Sequence, residues 1–352
     1  MKAKWYITIF TWIVGWCTMA QNTALSFINF SEKDGLTDKY IYTVAQDKNH
    51  MIWIGTGSGL YRFDGKKFER IKSSIDKPGR QIGNILQNIY ADRSGKLWLS
   101  SINALQIFDP TTQVFSGVNY NDPLINKMIK GFIMGFHEDK KGNIWIATQT
   151  DYWYKYNPIT KKAIHFTPKN SNVTEASKDV LKIIETPDGR LWAVTTNGLF
   201  EFFDNGTIIP HWNSKKGNSF YDGFYDAKRN CIWLAGGFDG IVQFDIQSNR
   251  FESQPLIVPN SKNSNPANFV TLIAPKDDNT LWFSASILGE YSIATKKFVN
   301  HLPVYKDEYS FKTTPISRFF HDREHNLWIA SYSGLSMLPW QNNQVQSYPL
   351  FN

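Results

Sequence analysis

The stretch Asp47-Lys48-Asn49-His50-Met51-Ile52-Trp53-Ile54-Gly55-Thr56, running on into Gly59-Leu60-Tyr61-Arg62-Phe63-Asp64-Gly65, decides the architecture because it returns along the chain. Its tryptophan recurs as Trp98, Trp145, Trp192, Trp233, Trp282 and Trp328, at gaps of 45, 47, 47, 41, 49 and 46 residues. The second unit carries Ile89, Asp92, Gly95, Leu97-Trp98-Leu99, Leu105, Phe108-Asp109-Pro110 and Phe115 in the same order. A period of this length marks a stacked or radial repeat, in which repeated residues build the scaffold and residues that differ between repeats carry recognition.

Each unit holds four short strand candidates. Strand a is the apolar run before the Asp, strand b carries the Trp, strand c begins near Gly-Leu, and strand d surrounds the next Phe. The turns between them are rich in Asp, Gly and Pro. Asp can bond its own backbone, Gly accepts positive φ and Pro presets φ. No unit shows a helix-length 3.6 pattern, so helical solenoids are excluded. Four strands per unit, repeated seven times, predict an all-β, seven-bladed β-propeller with essentially no helix after residue 20. The seven tryptophans are expected to pack between adjacent blades as scaffold.

Two segments compete for the outermost strand of the seventh blade, residues 25–30 and residues 344–348. The first alternates apolar and polar residues and lacks Pro, whereas Pro349 follows the second. The ring is therefore expected to be closed by the N-terminal strand.

Residues 1–20 read as a secretory signal peptide: Lys2 and Lys4, then an apolar run from Trp5 to Met19, then Thr18 and Ala20 ahead of Gln21. The run is shorter than the ~20 apolar residues a membrane span needs. Trp16 beside Cys17 argues against a lipidation site. Residues 21–352 form the propeller, without a membrane span, and the setting is periplasmic. Of 38 basic and 31 acidic residues, removing Lys2 and Lys4 leaves 36 − 31 = +5. That mild, scattered charge excludes a nucleic-acid stripe. Cys231 is the cysteine left, so the exported fold forms no internal disulfide.

Catalytic motifs are few. His321-Asp-Arg-Glu324-His325 spells H-x-x-E-H, which binds zinc only on a helix that brings both histidines to one face. Here it falls on the a–b turn of the seventh unit, so no metal is expected. Gly55-Thr-Gly57-Ser-Gly59 lacks phosphate-loop spacing and reads as a b–c turn. No catalytic residue and no cofactor is assigned.

Propellers bind at the face carrying the b–c and d–a loops. The candidate ligand-binding residues there are Arg80, Asn103, Asp151, Tyr152, Asn197, Phe238, Asp239 and Tyr332, from b–c turns and the d–a loop 76–84. Longer d–a loops are expected at 119–130, 168–177, 212–221 and 259–268. Amides, carboxylates and aromatics together suit a carbohydrate or another polar ligand.

The frame D-x-x-G-x-L-W-x-G-T-x-x-G-L-x-x-F-D resembles the two-component regulator propeller repeat. It is clearest at Asp47–Asp64 and at Asp188–Asp204, with Thr195 for Gly, and Phe30-Ser-Glu-Lys-Asp34-Gly35-Leu36-Thr37 resembles the family's lead-in to its first blade. The resemblance implies the periplasmic sensor region of Bacteroidota hybrid two-component systems. There, paired propellers precede a β-sandwich, a membrane helix, a histidine kinase, a receiver and a DNA-binding domain, and many members sense breakdown products of glycans. One propeller alone implies a truncated or split sensor, or a free-standing binding protein, with no kinase activity in this chain. The expected partners are an oligosaccharide and a second propeller or sensor kinase. The alternatives are a propeller enzyme such as a polysaccharide lyase, needing His, Arg and acids around the axis, and a pure protein-interaction scaffold.

Overall fold

A computed structural model of the chain describes residues 25–72, 85–167, 179–211, 219–256, 268–304, 306–311 and 314–340. Seven four-stranded antiparallel sheets follow one another. The first blade consists of Ile41–Gln46, Ile52–Thr56, Gly59–Phe63 and Phe68–Arg70, as strands a to d from the axis outward. The remaining inner strands are Asn88–Ala91, Ile133–Glu138, Val180–Glu185, Asp222–Asp226, Leu272–Pro275 and Ile316–His321.

The repeated tryptophans lie between blades, as expected from their shared frame. Each b-strand indole meets strand c of the next blade. Trp53 contacts Phe108, Trp98 contacts Tyr156, Trp145 contacts Phe202, Trp192 contacts Phe244 and Trp233 contacts Tyr291. Trp328 closes the circle on Phe63 of the first blade. All six pairs are edge-to-face, a geometry that suits the ring quadrupoles. In the sixth blade Trp282 packs instead among Leu327, Ile329 and Leu338 of the seventh. Burying one indole contributes on the order of 5 kcal/mol of apolar transfer free energy. The tryptophan's partner is thus a Phe or Tyr near the end of strand c, and the two aromatic positions of the repeat meet across a blade boundary.

The frame's first Asp has two duties. In the first blade Asp47 Oδ1 accepts the backbone N–H groups of Asn49 and Met51, which closes the a–b turn. Its Oδ2 accepts the Trp53 indole N–H at 2.9 Å. Trp98, Trp145 and Trp328 donate to Asp92, Asp139 and Asp322 in the same way, at 2.9, 2.9 and 2.8 Å. The fifth blade's longer turn puts Asp226 seven residues before Trp233, at 3.1 Å. Two blades depart. Thr186 holds this position in the fourth blade, not Asp188 of the frame read from sequence. The Trp192 N–H there is buried without an acceptor among the described residues, under the Arg190 guanidinium at 5.5 Å. In the sixth blade Lys276 holds the position, its ammonium 4.7 Å from the Trp282 ring centre.

Ile28–Phe30 pairs antiparallel with Gly334–Leu338 as the outer strand of the seventh blade, so the N-terminal strand closes the ring. Asn29 ties it down: its side-chain N–H group donates to the Glu308 and Ser310 carbonyls, and its oxygen accepts from Ser336 Oγ at 2.7 Å. The competing segment 344–348 lies outside the described residues.

One expectation is corrected. Residues 119–130, read as a loop, contain helix α1 (Pro123–Lys130). Asp122 caps it by accepting from Leu124 and Ile125 N–H, and Pro123 starts it where no N–H is needed. Ile125, Met128 and Ile129 fall on one stripe and are buried with Trp98 and Tyr154. The stripe is only one turn long, too short to stand out from a loop in sequence.

Candidate functional site

The axis is lined by strands a, and one position on them forms a ring. It is occupied by Thr43, Asn88, Gly135, Lys182, Leu272 and Arg318, each ten residues before its tryptophan, and by Asp222, eleven before Trp233 because of the longer turn. The b-strand tryptophan never varies, while this position varies in every blade. It is the kind of position at which a repeat protein differentiates.

Thr43, Asn88, Gly135, Lys182 and Arg318 all line a channel of about 390 Å³ on the axis. Arg318 Nη2 donates to Asn88 Oδ1 at 3.0 Å, from the seventh blade to the second. Asn88 Nδ2 donates on to the Ile133 carbonyl of the third blade at 2.9 Å. Lys182 Nζ donates to Asp222 Oδ1 at 2.6 Å, linking the fourth and fifth blades. Asp222 Oδ2 accepts the Ile273 N–H of the sixth at 3.2 Å. Burial lowers the Arg318 pKa from its ordinary value, and Asp222 and Tyr332 act in the opposite sense. His137 lies further along the channel, with Nε2 2.9 Å from Glu185.

A second cavity, of about 490 Å³, sits over the start of the inner strands of the sixth and seventh blades. Phe238, Phe269, Tyr332, Ser286 and Ser317 are among its lining residues. Phe269 meets Phe238 edge-on at 4.7 Å and Tyr221 at 4.9 Å. Tyr332 meets Tyr42 at 5.6 Å. Phe238 is 49% exposed and Tyr332 46%, so large aromatic faces stand in solvent beside the channel mouth. Burial raises the Tyr42 pKa, reinforced by Tyr332 and Asp38.

The candidates named from sequence divide accordingly. Phe238 and Tyr332 converge in the second cavity. Asp239, next to Phe238, donates its N–H to the Gly236 carbonyl within the same turn. Asp151 is engaged by scaffold: Lys127 of α1 lies 3.0 Å from it, the Tyr154 hydroxyl donates to it, and His165 Nε2 lies 3.0 Å from its carbonyl. Tyr152 and Asn103 hold left-handed turn positions at φ 60° and 59°. Asn197 donates its N–H to Thr195 Oγ1 at 3.0 Å. None of these four lines either cavity. Arg80 lies outside the described residues, as do the loops 76–84 and 168–177, residues 212–218 and residues 259–267. Arg318, Lys182, Asp222, Asn88 and Phe269 were not anticipated. Their signal is the fixed offset from the tryptophan, for all but Phe269.

The H-x-x-E-H stretch forms a turn. His325 sits at φ 65°, and its N–H donates to the Asp322 carbonyl at 3.0 Å. Glu324 leaves the turn for the first blade, where Gln46 Nε2 donates to it at 2.7 Å. Among the described residues, no group of three or more His, Cys, Asp or Glu side chains is placed to hold a metal ion.

Fold and site define a seven-bladed propeller with a polar axial ring and an aromatic rim on its loop-rich face. Residues 35–58 and 127–150 match the family model described as two component regulator propeller. Two stretches of the chain, in the first and third blades, thus match this repeat. It is similar to Histidine kinase P4 of Formosa agariphila, 40% identical over 50 residues that make up 14% of this chain and 4% of that protein. In structure it is similar to the extracellular domain of a hybrid two component system from B. thetaiotaomicron, with a TM-score of 0.72 at 20% identity, covering 89% of this chain and 42% of that one. It is also similar to virginiamycin B lyase from Staphylococcus aureus, with a TM-score of 0.66 at 13% identity, covering 89% and 98%. The chain thus spans about two-fifths of the extracellular domains it matches. Among the described residues, no helix is long and apolar enough to cross a membrane.

Proposed function

We propose that this propeller is the ligand-binding part of an extracellular sensor, that it acts in the periplasm after export directed by residues 1–20, and that its ligand is an oligosaccharide released from a glycan. The observation that carries the reading is the meeting of Phe238, Phe269 and Tyr332 in one cavity at the mouth of a polar channel. Exposed aromatic faces beside a few convergent polar groups suit a sugar ring, which is apolar on its faces and hydroxylated at its edge. Likeness to sensor domains supports the sensing role, and a second propeller or a sensor kinase is the partner it implies.

Calorimetry with a panel of oligosaccharides tests the reading. A binding sugar whose affinity falls at least tenfold in Tyr332→Ala and in Phe238→Ala supports it. Failure of the whole panel to bind overturns it. A second reading, catalysis at the axis, draws on Arg318, Asp222 and His137 lying on inner strands around one channel. Chromatography of the same mixtures distinguishes the two, because an enzyme releases product and a sensor returns its sugar unchanged.

A further inference from the structure

The axial ring carries a charge that the scaffold leaves unmatched. Arg318 donates to an amide oxygen, that of Asn88. Its Nε is closed off from solvent and meets no acceptor among the described residues. The ring's carboxylate, Asp222, is occupied: Lys182 takes one oxygen, and the Ile273 and Gly223 N–H groups are bonded as well. A guanidinium held in a confined channel against a neutral partner is costly, and a scaffold role alone would favour a carboxylate opposite it. Arg318 and Lys182 against Asp222 leave one net positive charge on the ring.

The position of that charge matters. Arg318 follows Ser317 on the seventh inner strand, and Ser317 lines the aromatic cavity. Tyr332 lines the same cavity as Ser317, the residue before Arg318. A ring lying on Phe238, Phe269 or Tyr332 therefore has a half-buried cation nearby. A guanidinium is a fork of parallel N–H donors that matches a carboxylate oxygen pair.

Resting on the sugar-binding reading, we propose that the ligand is an acidic oligosaccharide, and that Arg318 receives a uronate carboxylate at the channel mouth while an aromatic face of the rim carries the sugar ring. Asn88 then orients the guanidinium, and Lys182, held by Asp222, adds long-range attraction.

The test is isothermal titration of the full chain with galacturonate, mannuronate and glucuronate trimers, alongside the same trimers with every carboxyl reduced to an alcohol. One uronate trimer should bind about ten- to a hundredfold more tightly than its reduced form, and added salt should narrow the gap. Arg318→Met should remove most of the difference, and Arg318→Lys should keep part of it. Equal affinity for an acidic trimer and its reduced form in the wild-type chain overturns the proposal but leaves the sugar-binding reading standing. So does unchanged binding of the acidic trimer by a folded Arg318→Met. Binding of no trimer, acidic or neutral, overturns both. If Arg318→Met does not fold, the wild-type comparison decides alone.

Discussion

Phe30 lies flat on Trp328, with ring centres 5.4 Å apart and planes within 9° of each other. The same Phe30 ring meets Phe63 and Phe68 of the first blade edge-on, at 5.2 and 5.1 Å. One side chain of the closing strand thus joins the last blade to the first.

Phe30→Ala should cost about 2–3 kcal/mol, below the 3–5 kcal/mol of a fully buried Phe because the ring is only half-buried. Deleting residues 21–31 should cost more, since the Ile28–Phe30 ladder and the Asn29 bonds go with it. Urea unfolding midpoints check both. A deletion that leaves the midpoint where it was would remove the N-terminal strand from the closure.

Asp92→Ala should cost about 2–4 kcal/mol. The Trp98 N–H would be left buried without an acceptor, and Lys96 N–H and Ser94 Oγ would lose their partner in the turn. Thr186→Ala in the fourth blade should cost less, because Trp192 has no such bond to lose. Comparing the two melting temperatures separates the Asp–Trp bond from the general cost of altering a turn.

Acid should unfold the ring through its carboxylates. Burial opposes ionisation of Asp139, yet hydrogen bonds from Asn143, Trp145 and Lys141 outweigh it and hold the carboxyl below its ordinary value. Burial likewise opposes Asp226 and Glu290, which are lowered by Trp233 and Arg229 and by His301 and Lys276 respectively. A folded pKa below the unfolded one contributes stability in full above the unfolded value, about 4, and loses it as pH falls through the folded value. The melting temperature should therefore fall steeply below about pH 4, after a gentler decline through the histidine range, where burial holds His321 below its ordinary value. Asp139→Asn should show a shallower fall. An equal slope in the variant would show that Asp139 has no part in it.

Cys231 is fully buried on the fifth blade, and burial, with Asp226 nearby, pushes its thiol up to about 12. A thiolate at neutral pH is then negligible. Iodoacetamide should leave the Cys231 peptide unmodified in the native chain and label it after denaturation, as read by mass spectrometry. Labelling at native-like rates would mean that the blade opens readily.

The scaffold was legible in the sequence because it is written seven times. One Trp fixes a strand, and a repeated spacing fixes the closure of the set. Asp47 and its equivalents were legible as turn residues, but their bond to the indole was not. That bond depends on a side chain reaching across the hairpin, and the apparent match of Asp188 to the frame concealed that Thr186 holds the position. The site was harder to read for a different reason. Turn position marks Asn103, Asn197 and Phe238 alike as loop-face residues, and it does not say which of them meet. Phe238 and Tyr332 meet because the fifth and seventh blades flank the sixth. Arg318 was hidden in an apolar-looking strand, and only the register between strands a and b turns its offset from Trp328 into a place on the axis.

Asn29 and Ser336 are hydrogen-bonded across 307 residues of sequence. Ile28–Phe30 emerges early in synthesis and Gly334–Leu338 late, so the outer strand must wait for its partner while six intervening sheets form. Those sheets form from neighbouring segments, but joining the ends requires a very long chain loop to close, which is entropically unfavourable and slow. Until then Gly334–Leu338 offers an unpaired edge, the kind of surface that recruits strands from other molecules. The last ladder to form in this chain is therefore where folding and aggregation compete, and a high concentration of partly made or partly unfolded chains favours exchange of N-terminal strands between copies.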